Sequence, residues 1–126
     1  MSEDVTVGLI RALIEHLRGA PDDWQSLSMV LNFAGGKFSG THGYSYSPDG
    51  TIAAVASHPY HVKAAVAAYT DCHYEPGAVL PVAILVQFDR SSGNYEVLFE
   101  DADASRWKVT PENIDRIGEA LRPTLG

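Results

Sequence analysis

The chain has little with which to do covalent or metal chemistry. Its 126 residues include one cysteine, Cys72. A single thiol excludes an internal disulfide and a cysteine-built metal cluster. It also suits a reducing compartment. Cations are scarce: nine Lys and Arg stand against sixteen Asp and Glu, for a formal net charge of −7. They are scattered singly, whereas tracking a phosphate backbone takes clustered Lys and Arg. No nucleic-acid partner is therefore expected. No apolar run reaches the length of a membrane span, so no membrane is expected either. Glu3 and Asp4 precede the first apolar residues. A secretory leader has the reverse charge order, and the expected address is the cytoplasm. The nucleophile elbow Gly-x-Ser-x-Gly and the zinc motif HExxH are both missing.

What remains is an ordinary globular balance, with 45% apolar and 20% charged residues. A chain of this length is expected to form one domain over residues 1–126. It can bury about two-thirds of its unfolded surface, enough for a core without staples.

The strongest pattern runs from Val79 to Pro111. Val82, Ile84, Val86 and Phe88 alternate with Ala83, Leu85 and Gln87, and Tyr95, Val97 and Phe99 alternate with Glu96, Leu98 and Glu100. Period-two alternation puts each set on one strand face. The polar turn Asp89–Asn94 between them contains Gly93, so the stretch predicts a β-hairpin with one apolar face inward. Earlier, Leu27, Met29, Leu31 and Phe33 alternate with polar residues and predict a strand. Ala34-Gly35-Gly36-Lys37 lacks the spacing of a phosphate loop and reads as a hairpin turn. A second strand over 38–47 carries His42, Tyr44 and Tyr46 on one side. Ser47-Pro48-Asp49-Gly50 is a strong turn signal, and residues 51–56 suit a short third strand.

Three helices complete the plan. Val7, Ile10, Leu13, Ile14 and Leu17 share a face of a helix over 3–18, with His16 exposed. Residues 59–70 are Ala-rich, and Val62, Val66 and Tyr69 share a face. Thr110-Pro111-Glu112 starts a last helix with Ile114, Ile117 and Leu121 inward. The expected fold is α+β: an antiparallel sheet of four to five strands with helices packed on one face, in the order α-β-β-(β)-α-β-β-α.

Candidate chemistry is thin. His58 and His61 flank a helix start and His73 follows its end, but no ligand spacing joins them, and no metal is expected. Cys72 and His73 are adjacent, and neighbours on a chain point apart, so Cys72 is expected to be buried and inert. Glu96, Glu100, Asp101 and Asp103 form the densest charge, either as a solvated face or as a surface for basic residues, on the side away from Tyr95, Val97 and Phe99. Trp107 suits a core anchor on its usual burial, or an interface anchor if exposed.

The order of elements, together with YEVLFEDADASRWKVTPENIDRIGEALRP, resembles the YezG-like immunity proteins of bacterial polymorphic-toxin systems. Architecture carries it across most of the chain, and sequence mainly over residues 82–122. The resemblance implies a non-enzymatic protein, without catalytic residues or cofactors, that binds a cognate toxin in the producing cell and blocks it. The acidic balance suits a basic toxin, with Glu96, Glu100, Asp101, Asp103 and Trp107 as the expected contacts. The alternative is a small ligand-binding domain or enzyme with a sheet–helix pocket, using His42, Tyr44, Tyr46 or Cys72.

Overall fold

The computed structural model describes residues 2–103 and 106–123, with side chains from Val5 onward. In chain order the elements are α1 (Ser2–Glu15), β1 (Leu17–Arg18), β2 (Ser26–Ala34), β3 (Lys37–Tyr46), β4 (Ile52–Ser57), α2 (Pro59–His73), β5 (Ala83–Asp89), β6 (Tyr95–Glu100) and α3 (Ile117–Ala120). The strands form one antiparallel sheet of order β1-β4-β3-β2-β5-β6. The fold is α+β, with six strands where four to five were expected.

Turn chemistry sets the central register. Gly35 and Gly36 both take positive φ, at 59° and 77°. That is the requirement of the tight hairpin turn whose twist matches the flanking strands. β3 therefore folds straight back on β2, pairing Ala34 with Lys37 and Met29 with Gly43. Gly50 (φ 91°) does the same service between β3 and β4. At the far hairpin, Asp89 accepts from the Ser91 and Ser92 N–H groups and from the Ser91 hydroxyl. Those donors, the hydroxyl foremost, hold the Asp89 carboxyl below the usual carboxylate range. Arg90 reaches back to the carbonyls of Asp22 and Trp24, its guanidinium 4.5 Å from the Trp24 ring centre.

The sheet is covered on both faces, not one. On the first face Leu27, Met29, Leu31, Ile84 and Val86 pack under Leu9, Ile10 and Leu13 of α1 and Val62, Val66 and Tyr69 of α2. On the second, Val30, Ala83 and Leu85 pack under Trp107, Ile117 and Leu121. The reason lies in the Ala83–Val86 run, apolar at consecutive positions. Such a strand needs cover on both sides.

Polar bonds fix this second layer. Ser28 Oγ and Gln87 Nε2 donate to the Leu121 carbonyl, and Tyr46 Oη donates to the Gly118 carbonyl at 2.6 Å. Asn32 Nδ2 donates to His42 Nδ1 at 2.9 Å. That leaves His42 Nε2 as the protonated nitrogen, donating to the Trp107 carbonyl at 2.8 Å. His42, Tyr44 and Tyr46 thus share a side, as expected, but it lies beneath the C-terminal segment.

Two helices end differently from their sequence patterns. α1 stops at Glu15, and Leu17 leaves it to pair with Ser57 in β1. The buried Ser57 hydroxyl donates to the Leu13 carbonyl at 2.7 Å, satisfying an orphan at the helix end. Leu9 is fully buried while Val7 is 40% exposed, so the inward stripe is rotated from the one expected. The last helix shrinks to Ile117–Ala120, preceded by turns. Asn113 explains this: its side chain accepts from the Thr110 N–H and donates to the Lys108 carbonyl, competing with helical bonding. Ile117 and Leu121 are buried as expected, but Ile114 stays 57% exposed.

Candidate functional site

β6 is an outer strand of the sheet, and its acids were the expected contact surface. Glu96 is exposed, and so are Asp101 and Asp103 beyond the strand end. They do not form one row. Glu96 and Glu100 lie on the Leu98 side, facing the second layer. Asp101 comes close to Tyr74 and lines a hollow with Gly77, Val79 and Leu80, on the Phe99 side. Burial first, then the Asp101 carboxylate, push the Tyr74 phenol up. The reason is the strand's own period: an odd-numbered residue continues the Tyr95, Val97, Phe99 face.

Glu100 has a structural task. Its carboxylate accepts the Asp103 and Ala102 N–H groups and pairs with Arg106 at 2.9 Å. These contacts, in that order, hold its carboxyl below the ordinary value. Trp107 is 6% exposed and Arg106 lies over its ring, so it is a core anchor rather than a surface contact. Its side chain is taken up by the second layer. The acids available at the surface are therefore Glu96 and Asp101, with Asp103 at the turn that Glu100 closes.

The residues of a possible catalytic pocket do not converge. His42, Tyr44 and Tyr46 face the second layer. Cys72 sits in the last turn of α2, over the first face, and is exposed rather than buried. The buried stripe of α2 runs through Val62, Val66, Tyr69 and Thr70, and position 72 falls off it. The neighbouring His73 packs its ring on Tyr69 and Phe99, at 4.3 and 5.9 Å between centroids.

Two hollows are lined by residues other than His42, Tyr44, Tyr46 and Cys72. One is a groove of about 400 Å³ between α2 and the β2–β3 hairpin, with Phe33, Phe38, Val66 and Leu80 as apolar walls and Lys37 and Lys63 at its margins. The other is a polar corner of about 300 Å³ where α1 and β4 end and α2 begins. There the His16 and His61 rings stack 4.9 Å apart, and His58 lies 4.7 Å from His61. Forty-two positions separate His16 from His58 in sequence. The ladder that pairs Leu17 with Ser57 makes them neighbours, and the His58 N–H donates to the His16 carbonyl at 3.1 Å. Among the described residues, no group of three His, Cys, Asp or Glu side chains is gathered to hold a metal ion. No helix among them is long and apolar enough to cross a membrane. No protein-family model, curated protein or solved structure matches the chain.

Proposed function

We propose that this chain is a non-enzymatic binding protein of the immunity type, which captures a basic toxin domain in the cytoplasm of the producing cell. The observation that carries this reading is the outer strand β6, flanked by the exposed carboxylates of Glu96 and Asp101. An outer strand offers backbone donors and acceptors to an incoming segment, and the acids favour a basic one. The chain's net charge of −7 steers the same class of partner at long range. The resemblance of residues 82–122 to YezG-like immunity proteins supports the same role. So does the separation of His42, Tyr44 and Tyr46 from Cys72 by the thickness of the sheet.

The test uses Glu96→Lys with Asp101→Lys, because Glu100 also holds a turn. The partner to test is a toxin domain sought in the product of the neighbouring gene. The double variant should keep its melting temperature and associate roughly tenfold more slowly at low salt. The difference from the parent should fade at high salt. It should also protect growing cells less well. Equal association and equal protection at every salt concentration would refute the acidic edge as the interface. No binding by the parent protein would refute the immunity reading itself.

The groove between α2 and the β2–β3 hairpin favours a second reading, a small-ligand binder. Its apolar walls and two lysines suit an apolar molecule with one carboxylate. Saturable binding of such a molecule, lost in Lys63→Glu with no effect on toxin capture, would favour that reading.

A further inference from the structure

The polar corner at the start of α2 gathers three imidazoles and one guanidinium. His16 and Arg18 come from the α1–β1 junction, His58 from the end of β4, and His61 from the first turn of α2. Arg18 has no carboxylate within ion-pair reach among the described residues, where the ion pairs are Arg106–Glu100 and Arg122–Glu119. His58 Nδ1 is buried without a hydrogen-bond partner. α2 opens on Pro59 with no side-chain cap and no acid in its first turn, so its positive end is not offset. The one opposing charge is Glu15, exposed at the rim. Tyr60, 79% exposed, stands edge-on to His61 at 5.6 Å and widens the aromatic wall.

We propose that this corner binds a phosphate group, held by Arg18 and by ring N–H donors of His16, His58 and His61. A guanidinium supplies a planar fork matched to phosphate oxygens. Imidazoles add donors, and each becomes a cation on protonation. A metal ion suits the corner less well, since among the described residues no three side chains are gathered to hold one. The volume, about 300 Å³, admits a phosphate with one small substituent. The site lies apart from β6 and is independent of toxin capture.

The experiment is titration calorimetry of the whole chain at low ionic strength, with inorganic phosphate and with phenyl phosphate as probes, at pH 8 and pH 6. The titratable and charged groups around the site are Glu15 from α1, His16 and Arg18 at β1, His58 after β4, and Tyr60 and His61 from α2. The probes themselves lose charge toward pH 6, so each variant is compared with the parent at the same pH. Arg18→Gln and His61→Gln should each weaken binding roughly tenfold, the loss of one charge-assisted bond. Both residues are exposed, and their variants should fold. Glu15→Gln should tighten binding a few-fold, on the order of one exposed charge contact. Tighter binding of phenyl phosphate, lost in Tyr60→Ala, assigns the site to phosphate esters. Equal binding of the two probes assigns it to free phosphate. No saturable binding of either probe at pH 6 overturns the proposal, as does binding indifferent to Arg18, His61 and Glu15. Stoichiometric zinc binding that depends on these histidines, without oxyanion binding, overturns it as well.

Discussion

Gly43→Ala tests the register at the centre of the sheet. A Cβ at Gly43 would stand 2.0 Å from the Ser28 carbonyl oxygen and 2.9 Å from Met29 Cα, both backbone atoms of β2. An ordinary contact begins at 3.4 Å, so the strands must part locally by more than 1 Å. No rotamer change can relieve this, because backbone meets backbone. Parting by that much breaks about two ladder hydrogen bonds, at roughly 1 kcal/mol each. It also loosens the fully buried Met29, and overpacking of a core adds about 1–3 kcal/mol. The expected loss is about 3–5 kcal/mol. For a domain of this size that lowers the melting temperature by roughly 10–20 °C. Gly40→Ala is the matched control: it lies on the same strand with nothing within 4 Å of its Cβ. It should stay within about 0.5 kcal/mol of the parent. Thermal and urea melts followed by circular dichroism read both variants. If Gly43→Ala melts within about 3 °C of Gly40→Ala, the pairing of Gly43 with Met29 is wrong.

Other expectations follow from single contacts. Val86→Asp puts an unpaired carboxylate at a position 1% exposed, and should cost at least about 3–5 kcal/mol and abolish the near-ultraviolet signal of the folded core. Tyr46→Phe leaves the buried Gly118 carbonyl without its donor and should cost about 1–3 kcal/mol by urea melt. Burial pushes the Tyr46 and Tyr69 phenols above their ordinary value of 10.0. The unfolded chain therefore releases these protons first. Stability should be complete below about pH 10 and fall as pH rises beyond it, with a shallower fall in Tyr46→Phe. Cys72, exposed on α2, should react with a thiol reagent in the native protein without denaturant, and Cys72→Ser should leave stability within about 0.5 kcal/mol.

The hairpins were legible because their turns carry a hard steric requirement. Gly35, Gly36 and Gly93 take the positive φ that their loops demand. Alternation then assigned Ile84 and Val86 to the core correctly. The other face of the same strand was misjudged. Helices were expected on one face of the sheet only, although the unbroken apolar run Ala83–Val86 already argued for cover on both. Trp107 was expected both as a possible core anchor and among the partner contacts, and its 6% exposure places it in the core. The short α3 was not legible, because Asn113 competes with the helix through side-chain bonds that no periodicity reveals. Least legible was the His16–His58–His61 corner. It depends on a two-residue strand, Leu17–Arg18, too short to leave a pattern. The split of the acids between two faces was available in principle, since Glu96 and Asp101 differ in parity.

The second layer has a consequence for the making of the protein. Val30, Ala83 and Leu85 belong to strands translated well before the residues that cover them, Trp107, Ile117 and Leu121. A chain that stops before Trp107 keeps α1 and α2 to cover one face of the sheet and has nothing to cover the other. Early termination there would yield a chain with a built first face and a strong tendency to aggregate.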